Sequence, residues 1–255
     1  MRDFTYPATI LTAKTLFKAL GITFQTSGTE HIPRTGGAIL AANHIGYVDF
    51  IFDGFAAQPS KRLVRFMAKK DAFHHLISGP LMRSYHHISV DRENGEQSYR
   101  DAVDYARGGE IVGIFPEATI SRSFEIKELK SGAVRMAAEA GVPLIPMVTW
   151  GTQLLKTKDH EADLKGRGKT IGLHVGEPLK VTGEDPVAET QRLREAMSAL
   201  LDHAIKQYPI SPEGQWWAPA RHGGTAPSLE RAKQMDDEEY AARVAKRAAR
   251  QADDT

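Results

Sequence analysis

The sequence predicts an α/β domain with a central mixed, partly parallel sheet flanked by helices. Three observations predict it. Short apolar runs alternate with stretches of helical spacing along the chain. Two of the helical stretches end on the glycine expected just past a helix terminus. The 255 residues, 41% hydrophobic and 25% charged, have the composition of an ordinary globular protein able to bury a substantial core.

Strands are predicted at 37–43 (GAILAAN), 62–69 (RLVRFMAK), 86–90 (HHISV), 110–115 (EIVGIF), 142–150 (VPLIPMVTW) and 170–179 (TIGLHVGEPL). Helical spacing marks DFIFDGFAAQ, QSYRDAVDYARGG and LKSGAVRMAAEAG between them, and a further amphipathic helix at 187–208. Near the N-terminus, PATILTAKTLFKALG places Ile10, Ala13, Phe17 and Leu20 on one face, with Lys14 and Lys18 along its edge. Such a helix packs on its own domain or lies in a membrane interface with its lysines reaching the headgroups. Residues 1–27 are assigned to this helix region and 28–208 to the α/β domain. Residues 209–255 form a tail, rich in proline and glycine and then charge-dense and helical. Its adjacent Trp216 and Trp217 pin the segment to the domain, line a ligand channel or touch lipid.

Several function classes are disfavoured by composition. Net charge is +1, so no strong field favours nucleic acid. With no cysteine there is no disulfide, thiolate ligand or cysteine nucleophile. No run of apolar residues reaches the length of a spanning helix, and the N-terminus does not read as a signal peptide. A G-x-S-x-G nucleophile motif is absent, as is H-E-x-x-H.

The stretch AILAANHIGYVDFIF (38–52) interrupts an apolar run with His44 and Asp49. The spacing alone is weak, since the chain has ten histidines and His86 and Asp91 repeat it. That second pair lies along a strand, where side chains five apart point to opposite faces. His44 and Asp49 instead follow a strand, where a loop or first helical turn can bring them together. An aspartate on one imidazole nitrogen fixes the tautomer and leaves the other nitrogen free to take a proton. With no enzyme nucleophile motif, the expected target is a substrate hydroxyl. Arg92 in SVDREN follows one strand, and Glu117, Thr119, Ser121 and Arg122 in FPEATISRS follow another, with Lys130 soon after. Arginine at such strand ends suits phosphate or a surface ion pair.

In order, NHIGYVD, ISVDR, FPEATIS and VPLIPM resemble the four motifs of the glycerophospholipid acyltransferase family, particularly its 1-acylglycerol-3-phosphate acyltransferases, over about residues 30–180. The resemblance implies acyl transfer from acyl-CoA or acyl-carrier protein to a hydroxyl of a lysophospholipid. His44 would be the base and Asp49 its orienting partner, and nearby backbone N–H groups would stabilise the oxyanion. Around the substrate it places Asn43, Arg92, Glu117, Thr119, Arg122 and Lys130, with no metal or redox cofactor. It also implies a cytoplasmic enzyme held peripherally at the inner face of the cell membrane. Two departures stand in the third motif: Ala118 replaces its glycine and Ile120 its arginine. Arg122 is expected to supply that charge. The competing readings are another lysophospholipid or glycolipid acceptor, a metal hydrolase using His44, His74, His75, His86 and His87, and a lipid-binding protein without activity.

Overall fold

The computed structural model describes residues 5–76, 78–91 and 95–253, with the side chains of 246–248 and 250–253 excepted. Seven strands form one sheet: β1 (Thr23–Ser27), β2 (Ala38–Ala42), β3 (Val64–Lys69), β4 (Ile88–Val90), β5 (Ile111–Ile114), β6 (Leu144–Trp150) and β7 (Thr170–Val175), in the order β1-β7-β6-β2-β5-β3-β4. Among the described residues, only the β6–β7 strand pair is antiparallel. The sheet is therefore mixed and mostly parallel, as predicted.

Strands buried on both faces read as continuous apolar runs rather than alternating ones. AILAA in β2 and LIPMVTW in β6 are both buried at every position. Pro146 sits inside β6 yet breaks no ladder, because β7 pairs only with Met147 onward. On one face, Ile39 and Ala41 pack with α5 (Glu96–Arg107), α6 (Gly132–Ala140) and α7 (Pro186–Gln207). On the other, Ala38, Leu40 and Ala42 pack with Phe17 of α1 (Thr5–Ala19) and with Phe52 and Ala56 of α2 (Asp49–Ala56). The result is three layers around a double-sided core.

α1 lays Tyr6 and Phe17 against the domain, with Ile10, Ala13 and Leu20 half-buried beside them. The predicted apolar face is therefore the packed one. β1 was not anticipated: TFQTS is a polar edge strand with little apolar patterning, and it joins the helix region at 1–27 to the main sheet by pairing with β7. Two short helices, α3 (Lys70–His74) and α4 (Ser78–Ser84), fill the connection between β3 and β4. In the tail, Trp217 is buried against Trp150 and Tyr208 and gives its carbonyl to the Gln153 amide. α8 (Leu229–Asp253) follows.

Candidate active site

In open α/β sheets, chemistry gathers beyond the carboxyl ends of the strands. Three adjacent parallel strands, β6, β2 and β5, end together here. His44 follows β2, Phe115 to Glu117 follow β5, and Thr152 follows β6.

His44 and Asp49 meet. Asp49 opens α2, and its fully buried carboxylate accepts four hydrogen bonds. Oδ2 takes His44 Nδ1–H at 2.9 Å and the backbone N–H groups of Ile45 and Gly46, both at 2.8 Å. Oδ1 takes the Thr152 hydroxyl at 2.5 Å. A buried carboxylate with all its donors in place only accepts, so the imidazole must carry its proton on Nδ1. Nε2 is then the ring's basic atom, on a side chain 22% exposed. Phe115 stacks on the imidazole at 4.2 Å between ring centres and fixes its plane. Gly46 fits this turn because a Cβ would stand 3.0 Å from both Asp49 Oδ1 and the Lys156 carbonyl.

Glu117 holds the same loop from the other side. Its Oε1 accepts the His44 backbone N–H at 2.9 Å, and its Oε2 accepts that of Lys127 at 3.2 Å. Burial pushes its carboxyl up to about 7, against the opposing pull of those two N–H groups and the Lys127 and His44 charges. Glu117 therefore ties the His44 loop to the Lys127 segment. The Ser121 N–H donates to the His44 carbonyl at 2.7 Å, and the Thr157 hydroxyl to the Ile45 carbonyl at 2.6 Å. The N–H groups of His44, Ile45, Gly46 and Ser121 are all committed within the protein.

Other expected substrate contacts are also placed differently. Asn43 is fully buried and exchanges two bonds with the Thr149 backbone, Nδ2–H to the carbonyl at 3.1 Å and N–H to Oδ1 at 2.7 Å. It extends the β2–β6 ladder and has no free face for a ligand. Arg122 is turned toward the tail, bound to Asp159 (2.5 Å), Asp236 and Glu239 (2.9 Å). It does not stand in for the charge missing at Ile120, which is itself buried in the core. The Thr119 hydroxyl accepts Lys127 Nζ–H at 2.5 Å. Lys130 is exposed, with its backbone N–H on the Pro116 carbonyl. Arg92 lies outside the described residues.

One residue was not singled out from sequence. Asp53 lies one helical turn beyond Asp49, fully buried, and accepts the Thr149 hydroxyl. Its second oxygen has no partner among the described residues. Burial, and then the Asp49 charge, hold its carboxyl well above the ordinary range. The D-x-x-x-D spacing within DFIFD is the only signal that could have found it.

The histidines weighed as metal ligands are dispersed. His74 belongs to α3, and His87 is buried, its Nδ1 accepting the Phe66 N–H at 3.1 Å, with burial lowering its ring to about 4. No group of three or more His, Asp or Glu side chains among the described residues is placed to hold a metal ion.

A histidine held by a buried aspartate, at the end of a central parallel strand, is the centre of this candidate site. Residues 23–150 match the model of the Acyltransferase family, and the chain belongs to that family. It is an O-acyltransferase, like 1-acyl-sn-glycerol-3-phosphate acyltransferases in sequence. It is 35% identical over 179 residues to the 1-acyl-sn-glycerol-3-phosphate acyltransferase of Bacillus subtilis, covering 70% of this chain and 84% of that one. The protein of the same description from Limnanthes douglasii is 33% identical over 138 residues, or 52% of this chain and 47% of that one. In fold it is similar to the crystal structure of the 1-acyl-sn-glycerophosphate (LPA) acyltransferase PlsC from Thermotoga maritima. The TM-score is 0.63 at 21% identity, over 80% of this chain and 81% of that one.

Proposed function

We propose that this protein transfers a fatty acyl group from a thioester, acyl-CoA or acyl-carrier protein, to the free hydroxyl of 1-acylglycerol-3-phosphate, giving phosphatidic acid. The observation that carries the reading is the Asp49 carboxylate on His44 Nδ1, which leaves Nε2 as the proton acceptor. Nε2 takes the acceptor's hydroxyl proton as the oxygen attacks the thioester carbonyl. The tetrahedral intermediate then expels the thiolate, which recovers the proton from the imidazolium. Asp49 stabilises that imidazolium throughout. The scheme needs no acyl-enzyme, metal or redox cofactor.

The acceptor and product are lipids, so the enzyme works at a membrane surface, peripherally on the inner face of the cell membrane. No helix among the described residues is long and apolar enough to cross a membrane. α1 presents Leu11 and Leu16, 67% and 54% exposed, on the face turned away from the core.

A second acceptor class is favoured by one observation. The position that carries arginine in the family motif is the buried Ile120, and Arg122 is bound to three carboxylates. Another lysophospholipid or a glycolipid hydroxyl is the corresponding alternative.

The deciding assay is thiol release from palmitoyl-CoA with 1-acylglycerol-3-phosphate, for wild type and His44→Ala. Release should require the acceptor and fall about 10²–10⁴-fold in the variant, the usual contribution of a general base. Equal rates in both proteins would eliminate His44 as the base. Competition among acceptors then separates the two readings.

A further inference from the structure

A chain of buried polar groups runs through the turn after β6, from the tail to the His44 loop. Gly151 opens the turn at φ +97°, a conformation that favours glycine, and a Cβ there would collide with the Thr170 carbonyl. Its N–H donates to Gln153 Oε1 at 2.8 Å. The same side chain donates Nε2–H to the Trp217 carbonyl at 3.2 Å, across 64 positions of sequence. Between them, the Thr152 hydroxyl reaches Asp49 Oδ1 at 2.5 Å. Thr152 and Gln153 are 0% and 1% exposed. Trp217 is fixed in turn, edge-on to both Trp150 and Tyr208.

Packing alone does not call for these groups. Valine at 152 and methionine at 153 would fill similar space with no hydroxyl or amide to satisfy, and buried polar groups are costly unless bonded. What the hydroxyl adds is a hold on Asp49. Oδ2 of that carboxylate takes three donors, His44 Nδ1–H among them, while Thr152 holds Oδ1. A carboxylate can turn about its Cβ–Cγ bond. A donor on Oδ1 sets its plane from the far side and so aims Oδ2 along Nδ1–H. Leaving Oδ1 buried and unpaired is costly, so without the hydroxyl the carboxylate turns toward another donor, at the expense of the His44 bond. Thr152 is β-branched and stiff at χ1, so its hydroxyl follows the backbone of the turn. Gln153 fixes that backbone, with one bond to Gly151 and one to the tail.

We propose that Thr152 is a positioning residue for His44, acting through Asp49, and that the tail holds it in place through the Trp217 carbonyl and Gln153. The segment after α7 is then part of the framework of the site. The inference rests on the proposed function in one respect, that His44 is the base.

Two readouts keep its failure apart from failure of that function. Proton NMR of the His44 Nδ1–H needs no turnover, and the signal is identified by its absence in His44→Ala. It should be downfield and slow to exchange in wild type, persist in Thr152→Ser and vanish in Thr152→Val. In the acyl-transfer assay, Thr152→Val should lower kcat about 10–100-fold and leave KM unchanged, because Thr152 is buried behind Asp49. Thr152→Ser should restore most of the rate. Gln153→Met should act in the same direction, and Thr152→Val/Gln153→Met should be no worse than Thr152→Val, since both act through one bond. Loss of the signal in a protein without transferase activity would uphold the positioning role and sink the proposed function. An unchanged signal and kcat in Thr152→Val would overturn the role of Thr152, and additive losses in the double variant would overturn the link to the tail. Should Thr152→Val fail to fold, an undisturbed Nδ1–H signal in Gln153→Met overturns the proposal by itself.

Discussion

Ala118 stands at φ +63°, the left-handed region, where the family's third motif carries glycine. That conformation costs an L-residue about 1–2 kcal/mol, part of which glycine returns through its freer unfolded chain. Ala118→Gly should therefore stabilise the protein by about 0.5–1 kcal/mol in denaturant unfolding, and no gain would mean the strain is relieved elsewhere. The two carboxylates of DFIFD should separate sharply. Asp49 accepts four donors, so Asp49→Asn sets an amide N–H against one side of that set and should cost about 10²-fold or more in rate. The Asp53 carboxyl is held above the ordinary range, which favours its protonated form, so Asp53→Asn should leave the rate nearly unchanged. Its pH behaviour gives the sign. A carboxyl raised in the folded state favours the protonated form, and its contribution to stability is lost as pH rises through the folded value. Melting temperatures against pH should show Asp53→Asn matching wild type in acid and exceeding it in alkali. At this scale, His44 and Asp49 were legible because both lie in one short turn after a predictable strand. Arg122 was misread because its partners Asp236 and Glu239 lie 114 and 117 positions away. Asn43 was misread because an amide pairing with Thr149 across two strands leaves no local trace.

The strands buried on both sides announced themselves as apolar runs, and α5, α6 and α7 through their periodicity, the first two also through their terminal glycines. β1 did not, since an edge strand of alternating exposure carries little apolar signal and is held in place by β7. α3 and α4 are too short, at 5 and 7 residues, for a helical period to register. α8 was readable as a helix but not as an element joined to the active-site segments, because that link is purely electrostatic. The link has a testable pH limit. Hydrogen bonds from Lys158 and Arg122 lower Glu239 from 4.5 to about 2, and bonds and charges from Lys158 and Lys127 lower Asp236 despite its burial. A carboxyl depressed in the folded state contributes stability that is present above its unfolded value and lost as pH falls toward the folded one. α8 should therefore stay docked at neutral pH and release as pH drops from about 4.5 toward 2. Amide exchange across 229–245 would show this release before the sheet opens. Simultaneous loss of both would mean that α8 and the core are one cooperative unit.

The molecule as a whole is asymmetric about its sheet. α5, α6 and α7 cover one face, while α1 and α2 cover the other. α2 begins at Asp49, so the layer that holds the carboxylate bonded to His44 also carries the exposed leucines of α1. A rigid three-layer body can meet a bilayer by one layer while its strand ends open beside it. Burying a leucine side chain is worth about 1.5–3 kcal/mol, so Leu11 and Leu16 together can shift membrane partitioning by at least tenfold even when they insert partway. Leu11→Glu/Leu16→Glu should accordingly lower sedimentation with phosphatidylglycerol-containing vesicles by about tenfold or more. Acyl transfer to a lipid acceptor held in those vesicles should fall in proportion. Transfer to a short-chain, water-soluble acceptor should not change, since both side chains are exposed and face away from the core. Undiminished sedimentation would remove α1 as the contact and leave the half-exposed Trp216, stacked on His160, as the next surface to test. A loss of activity on the soluble acceptor as well would show instead that α1 supports the fold around α2, through the Phe17–Phe52 stack at 4.8 Å.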